Sequence, residues 1–190
     1  MALREVLDKI QDKVHPSGLL YSTYEQRLLS GLDRSRLPRH IAVMADGNRR
    51  WARLNAPDET LVKGYEAGAD KLVEFVGWCD EVDTSVVTLW VLSTENLERS
   101  QSDEIAPLLD VIVHLVKTLA DKQKWVVQIV GALDLLPEET ATALSEAADS
   151  TTHCTGMHIN VAVAYGGRHE LRDAFRSLLA EEAKKGTPLE

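Results

Sequence analysis

Cysteine and long apolar runs are scarce in this sequence, and this scarcity argues against several classes of protein. The 190 residues include only two cysteines, and Cys79 and Cys154 lack the spacing of a cysteine metal site. Cys79 falls on an apolar helical face, where we expect a small buried hydrophobe rather than a nucleophile. No apolar run approaches the length that spans a bilayer, so no membrane-spanning helix is expected.

Basic residues are also in the minority. Lysine and arginine number 21 against 30 aspartates and glutamates, which gives a formal net charge of −9. A nucleic-acid-binding surface would be broadly basic, so no nucleic-acid partner is expected. Residues 1–8 carry charges where a secretory signal peptide needs an apolar core. We therefore expect a cytoplasmic protein.

The most informative segment is residues 40–51, in which a short apolar run ends in Asp46-Gly47-Asn48-Arg49-Arg50-Trp51. The run predicts a buried strand, and a glycine directly after it allows a tight turn. A carboxylate beside two guanidinium groups is not needed for folding, but it suits a magnesium-bound phosphate. Arg53 adds a third positive charge nearby, so the local charge opposes the global charge and indicates a focused anion site.

Strand and helix patterns alternate from residue 39 onwards. The predicted strands are 40–45, 86–92, 125–131 and 157–164, and the predicted helices are 64–80, 102–121, 137–148 and 168–185. Strands separated by helices predict right-handed βαβ units, and therefore an α/β fold with an open, mostly parallel sheet and helices on both faces. Two short amphipathic helices, 2–14 and 20–32, precede this pattern. We predict an N-terminal helical arm at 1–36 and an α/β domain at 37–190.

Polar or glycine-rich turns follow three of the predicted strands. They are residues 46–51, Ser93-Thr94-Glu95-Asn96, and Tyr165-Gly166-Gly167-Arg168. In a parallel sheet these strand ends share one edge, so we expect the turns to meet at one crevice. A helix cap would explain the turn at 93–96 equally well. The stretch Gly64–Gly68 fits either a phosphate-facing helix start or a close-packed helix contact. The sequence has neither a P-loop nor a G-x-G-x-x-G motif.

Together, the strand followed by Asp46-Gly47-Asn48-x-Arg50-Trp51, then the turn at 93–96, then residues 160–168 resemble the cis-prenyltransferase family, the undecaprenyl diphosphate synthase-like isoprenyl transferases. The resemblance runs from about residue 38 to about residue 179. It implies a magnesium-dependent enzyme that condenses isopentenyl diphosphate with a short allylic diphosphate, geranyl or farnesyl, and forms a cis double bond. It also implies a homodimer that contacts membranes only through its lipid product.

The resemblance further implies roles for individual residues. Asp46 is the expected magnesium ligand and, with Asn96, a catalytic residue. The expected substrate-binding residues are Gly47, Asn48, Arg49, Arg50, Trp51, Arg53, Tyr65, Ser93, Thr94, Glu95 and Arg99. Ser93 and Asn96 would order the isopentenyl substrate and its proton loss. Glu95 is expected to position rather than to act as base, and a released diphosphate oxygen could take the proton instead.

Several positions depart from the family pattern. Tyr65 stands where the family often has histidine, and Leu61 where it often has arginine. Leu97 replaces a common tryptophan, a variant similar to the short-chain actinobacterial branch that makes (2Z,6E)-farnesyl diphosphate. Val91 stands where long-chain members tend to have alanine, and its extra methyl groups would shorten a hydrocarbon tunnel. We therefore expect a short product, with a long-chain product as the alternative.

The family's arginine-rich block for isopentenyl diphosphate does not follow Arg168 in these residues. Because those arginines supply charge-assisted contacts to a diphosphate, we expect this sequence to be C-terminally incomplete and to lack part of the active site. One reading is an enzyme whose last third is missing from the sequence. The alternatives are a non-catalytic accessory subunit of a two-component cis-prenyltransferase and an unrelated α/β phosphate-binding module.

Overall fold

The computed structural model describes residues 24, 26–99 and 102–185, and the chain divides into two units, Met1–Leu37 and Pro38–Glu190. The described part of the first unit contains a helical stretch over 26–31 and a 3₁₀ helix, Arg34–Arg36. Asp33 caps the 3₁₀ helix, because its Oδ1 accepts the backbone N–H of Ser35 at 3.1 Å. The predicted helix at 2–14 lies outside the described residues, as does the first part of the helix predicted at 20–32.

The second unit has four strands and six helices among its described residues. The strands are β1 (His40–Met44), β2 (Val86–Trp90), β3 (Val126–Val130) and β4 (His158–Ala162). The helices are α1 (Asn48–Asn55), α2 (Val62–Glu81), α3 (Thr94–Arg99), α4 (Ser102–Ala120), α5 (Glu138–Asp149) and α6 (Gly167–Lys185), with a short 3₁₀ helix at Leu133–Leu135. The four predicted strands and four predicted helices of this unit are confirmed, with boundaries that shift by a few residues.

The four strands form one parallel sheet in the order β1-β2-β4-β3. The register is regular: Val87 lies opposite Ile41 on one side and Ile159 on the other. The predicted α/β class with an open parallel sheet is confirmed. Since the strands run in one direction, all four carboxyl ends lie at one edge, where open α/β sheets place their ligands.

The hydrophobic core lies between one face of the sheet and a layer of three helices. Val87, Leu89, Ile159 and Val161 point to this face and are fully buried. They pack against apolar residues of α2, α4 and α5. Each such side chain contributes about 1.5–3 kcal/mol when it leaves water, so this layer holds β2 and β4 in place. None of the helices in the described ranges is long and apolar enough to cross a membrane.

A polar network joins the end of α2 to the start of β3. Asp80 accepts hydrogen bonds from Trp125 Nε1 at 2.9 Å and from Lys124 Nζ at 2.5 Å. Burial alone would raise the pKa of Asp80, but the two hydrogen bonds and the charge of Lys124 outweigh burial and lower the pKa. The neighbouring Cys79 is buried in the core, and burial raises the pKa of its thiol. The prediction that Cys79 is a buried hydrophobe is confirmed.

Candidate functional site at the sheet edge

The turn after β1 is built around a glycine in the left-handed region. Gly47 has φ +90° and directly precedes α1, so the chain reverses from strand to helix within three residues. Its amide donates to Asp46 Oδ1 at 2.7 Å, and its carbonyl accepts the amide of Trp51 at 2.8 Å. A Cβ at Gly47 would lie 3.2 Å from Nη2 of Arg50, so the guanidinium group rests against the turn. The predicted tight turn is confirmed.

A polar cleft of about 360 Å³ opens at this edge of the sheet. Its lining comes from the turn after β1, from α1 and α2, from the residues after β2 and from α4. The lining residues are Ala45, Asp46, Gly47, Asn48, Arg49, Arg50, Arg53, Tyr65, Val91, Leu92, Asn96 and Leu108. Eight of the predicted site residues therefore meet in one place.

Three arginines of the cleft have no ion-pair partner among the described residues. Arg49, Arg50 and Arg53 are exposed, and among the described residues none of them forms an ion pair with a carboxylate. Guanidinium groups bind phosphate oxygens through paired N–H donors. In a protein of net charge −9, three arginines without a described ion-pair partner give this cleft a local positive charge that suits an anion.

Tyr65 lies on the cleft wall between charges of opposite sign. Burial and the charge of Glu104 raise the pKa of its phenol, and Arg49 opposes them by lowering the pKa. The phenol therefore stays protonated at neutral pH and can donate a hydrogen bond to an anion. Glu104, near the start of α4, was missed by sequence reasoning because no motif marks it.

The stretch Gly64–Gly68 packs closely against α1. A Cβ at Gly64 would lie 2.9 Å from the carbonyl carbon of Asn48 and 3.0 Å from Cβ of Ala52. At Gly68, an added Cβ would lie 3.0 Å from Cγ and 3.2 Å from Nδ2 of Asn48. Real Cβ atoms do not approach so closely without a shift of their neighbours. Of the two interpretations left open by the sequence, the close-packed contact is the one that the structure supports.

The turn after β2 reaches the cleft through one of its four residues. Ser93 Oγ accepts the amide of Asn96 at 3.1 Å, which caps α3, and Asn96 lines the cleft. Thr94 is only 5% exposed, and Glu95 is exposed to solvent. Neither of them lines the cleft, and neither does Ser93. The side chain of Arg99 lies outside the part of the chain that the structure describes.

The turn after β4 lies next to the cleft but does not line it. Tyr165 pairs with Ser93 in an isolated parallel bridge. Its ring packs against the ring of Trp90 in a T-shaped arrangement, with the two ring centroids 5.4 Å apart. Gly166 instead lines a separate groove with Gly131. The expectation that all three turns line one crevice is therefore wrong for this turn, because β2 lies between β1 and β4 in the sheet and separates the turn after β4 from the turn after β1.

Two apolar spaces adjoin the cleft. A groove of about 490 Å³ on the far side of the turn is lined by Trp51, Leu54 and Lys71, together with Asp46 and Arg50. Trp51 is 44% exposed there and does not line the polar cleft.

The second apolar space is a small pocket beneath Tyr65, between α2 and α4, with a volume of about 20 Å³. Val91, Leu108, Val111, Ile112 and Leu115 form its walls. A space of this size holds about one water molecule.

The carboxylate of Asp46 is suited to a magnesium ion that arrives with a phosphate. One of its oxygens accepts the amide of Gly47, and no protein cation pairs with it among the described residues. No group of three His, Cys, Asp or Glu side chains in residues 24, 26–99 and 102–185 could hold a metal. Mg²⁺ commonly binds one or two carboxylates and completes its shell with water and substrate phosphates, so the residues present fit such a shared ion.

Comparisons with known proteins match this architecture. The family model described as putative undecaprenyl diphosphate synthase matches residues 44–189. The chain is 50% identical over 168 residues to a (2Z,6E)-farnesyl diphosphate synthase of Thermobifida fusca, covering 88% of this chain and 65% of that protein. It is 48% identical over 171 residues to isoprenyl transferase 1 of Streptomyces avermitilis, covering 90% and 65%. The chain thus spans about two thirds of the length of these relatives.

A solved structure shares the fold. Lavandulyl diphosphate synthase of Lavandula x intermedia, crystallised with dimethylallyl diphosphate, superimposes with a TM-score of 0.71 at 27% identity, over 78% of this chain and 64% of that one. A probable undecaprenyl diphosphate synthase of Campylobacter jejuni, at 24% identity and a TM-score of 0.59, has the same fold. The family model spans most of the α/β unit and the turn that carries Asp46 and the arginines. On these grounds the chain belongs to the undecaprenyl diphosphate synthase family of prenyltransferases.

Proposed function

We propose that the polar cleft binds the diphosphate of a short allylic substrate, geranyl or farnesyl diphosphate, and that the protein condenses it with isopentenyl diphosphate to give a short-chain Z-prenyl diphosphate. The observation that carries the proposal is the convergence of three arginines and one carboxylate at the carboxyl edge of a parallel sheet, none of them in an ion pair within the part of the chain that the structure describes. The names of the relatives from Thermobifida fusca and Streptomyces avermitilis describe the same chemistry.

The proposed allylic diphosphate lies against the start of α1. Arg49, Arg50 and Arg53 bind its oxygens, and the backbone amides of the first turn of α1 add donors at the positive end of the helix dipole. The phenol of Tyr65 donates one further hydrogen bond. These groups are in place before the reaction, so they stabilise the negative charge that develops when the allylic carbon–oxygen bond breaks.

Asp46 would hold a magnesium ion shared with the diphosphate, and a bound Mg²⁺ would supply positive charge to the leaving group. The carbon–carbon bond forms between the allylic carbon and the terminal alkene carbon of isopentenyl diphosphate, and a proton then leaves that substrate. Asn96 faces the cleft and is proposed to orient the isopentenyl group. Glu95 does not line the cleft, which favours a released diphosphate oxygen as the proton acceptor.

The support for a short product is the bulk of Val91 on the wall of the apolar pocket. The hydrocarbon chain is proposed to enter between α2 and α4, where Val91, Leu108 and Ile112 leave about 20 Å³. This space is smaller than one isoprene unit, so α2 and α4 must move apart for a hydrocarbon chain of any length to enter. The methyl groups of Val91 then shorten the space that opens, compared with an alanine at that position.

The proposed oligomeric state is a homodimer, and the proposed location is the cytoplasm, with membrane contact only through the lipid product. These proposals come from the family resemblance. Size-exclusion chromatography with light scattering tests the first: a mass near 42 kDa, twice the 21.1 kDa of the chain, is expected for the homodimer.

A product assay tests the proposed function. Labelled isopentenyl diphosphate is incubated with geranyl diphosphate and Mg²⁺, and the products are dephosphorylated and separated by chain length. In the complete protein we expect a fifteen-carbon product, and turnover that Asp46→Ala abolishes. Products of ten or more isoprene units support the long-chain alternative. Binding of geranyl diphosphate without turnover supports the accessory subunit. Turnover by Asp46→Ala within a few-fold of wild type contradicts the role of Asp46.

A further inference from the structure

We propose that Thr94 and Gly166 form a positioning pair, in which the turn after β4 holds the N-terminus of α3 and so sets where Asn96 lies in the cleft. This inference rests on the proposed function for its catalytic consequence, but the contact itself is independent of that function. Thr94 thereby acts through its neighbours rather than by touching substrate.

The first observation is the backbone pairing of the two turns. The amide of Thr94 donates to the carbonyl of Tyr165 at 3.3 Å, and the amide of Tyr165 donates to the carbonyl of Leu92 at 3.1 Å. Ser93 and Tyr165 form an isolated parallel bridge. The parallel pairing of β2 with β4 thus extends past the ends of both strands, up to the first residue of α3.

The second observation is the absence of space at Gly166. This residue is buried, and an added Cβ would lie 3.3 Å from Cβ and 3.4 Å from Cγ2 of Thr94, and well inside van der Waals distance of its Oγ1. The φ of Gly166 is not in the left-handed region. Backbone strain therefore does not require a glycine here. A glycine is required because the side chain of Thr94 leaves no room for a Cβ at position 166.

The third observation links this contact to the cleft. The pair lies at the start of two helices, because α3 begins at Thr94 and α6 begins at Gly167. Two residues after Thr94, Asn96 lines the cleft, and its amide is held by Ser93 Oγ at 3.1 Å. A displacement of Thr94 therefore moves the capping turn and the amide side chain of Asn96 together. A shift of about 1 Å in such a group can lower turnover by about 100-fold.

The test compares three variants. Gly166→Ala introduces the clash, and Gly166→Ala combined with Thr94→Ala removes the Oγ1 and Cγ2 atoms that cause most of it. Gly167→Ala is the matched control, because an added Cβ there meets nothing within 4 Å. The measurement is the backbone amide shifts of residues 93–97 in ¹⁵N-labelled full chain without ligand.

We expect Gly166→Ala to move these amide shifts, Gly167→Ala to leave them in place, and the double variant to bring them back towards wild type. If Gly166→Ala does not fold, recovery of a folded protein with wild-type shifts in the double variant carries the same conclusion. Shifts of Gly166→Ala that equal those of Gly167→Ala, or a double variant as perturbed as the single one, would overturn the proposal.

A substrate measurement adds a readout that loss of stability alone does not move. In Gly166→Ala, the KM for isopentenyl diphosphate is expected to rise about 10-fold or more while the KM for geranyl diphosphate changes little, since the allylic site lies on α1. Equal changes in the two KM values contradict the proposal that Thr94 positions Asn96. A wild-type chain that neither binds nor converts the two diphosphates refutes the proposed function, and the amide shifts still decide the positioning pair.

Discussion

The contact between α1 and α2 gives a sharp prediction at Gly64, a buried residue in the first turn of α2. In Gly64→Ala the added methyl group would lie 2.9 Å from the carbonyl carbon and closer still to the carbonyl oxygen of Asn48. Ordinary contacts between such atoms begin near 3.4 Å. Because the two atoms nearest to the added methyl group are backbone atoms of Asn48, α1 itself must move away from α2, by about 1 Å.

Two opposing terms set the size of the effect. Alanine in a helix is more stable than glycine by about 0.5–1 kcal/mol, whereas overpacking of a dense site costs about 1–3 kcal/mol. For Gly64→Ala the clash is with backbone, so we expect net destabilisation and a Tm lower by several degrees, at about 2–4 °C per kcal/mol for a chain of this size. The displacement of Asn48 and the neighbouring arginines is expected to lower turnover by about 100-fold.

Gly77→Ala is the matched control, because Gly77 lies in the same helix and an added Cβ meets nothing within 4 Å. This variant gains helix propensity without a clash, so its Tm should equal or exceed that of wild type. Thermal unfolding and steady-state turnover of both variants decide the matter. If Gly64→Ala matches Gly77→Ala in Tm and in turnover, the α1–α2 contact does not hold the site.

Three further predictions concern the tunnel, the cleft wall and the fold. Val91→Ala should lengthen the product by at least one isoprene unit in the chain-length assay, and an unchanged product argues against the pocket as the stop. Tyr65→Phe should weaken geranyl diphosphate binding several-fold, as expected for one lost hydrogen bond of about 1 kcal/mol, with an unchanged Tm; equal affinity would show that the phenol makes no contact. Asp80→Asn should lower the free energy of unfolding by about 1 kcal/mol at pH 7, a modest figure because Lys124 is largely exposed. Since the folded state lowers the pKa of Asp80, the stabilisation by this carboxylate is present above the ordinary carboxyl pKa and is lost as the pH falls through the lower pKa of the folded state. In urea unfolding, the free energies of unfolding of wild type and Asp80→Asn should therefore converge below about pH 4. A difference between them that does not change with pH would contradict this prediction.

The strands and the grouping of charged residues after β1 could be predicted because their signals are local. The run at 40–45 is apolar and is followed by Asp46 and Gly47, so the end of the strand and the carboxylate after it can both be recognised within eight residues. Parallel topology then places Asn96 at the same edge as Asp46, although they are 50 residues apart.

Other features could not be read from the sequence because they depend on which elements touch. The role of Gly64 and Gly68 follows from the passage of α1 over the start of α2, and a glycine pair alone does not reveal its neighbour. The position of Glu104 near Tyr65 follows from the packing of α4 against α2. Thr94 is buried against Gly166, whereas the family resemblance led us to expect it among the substrate-binding residues.

The central claim is that the cleft binds an allylic diphosphate together with magnesium held by Asp46. Calorimetric titration of the full chain with geranyl diphosphate, with and without Mg²⁺, tests it directly. Asp58→Ala is the control, since Asp58 is an exposed carboxylate that does not line the cleft. We expect Mg²⁺ to tighten binding about 10-fold or more in wild type and in Asp58→Ala, the gain of a charge-assisted contact of about 1.5–3 kcal/mol, and to have no such effect in Asp46→Ala. The same Mg²⁺ dependence in Asp46→Ala, or no binding by the wild-type chain, would contradict the account.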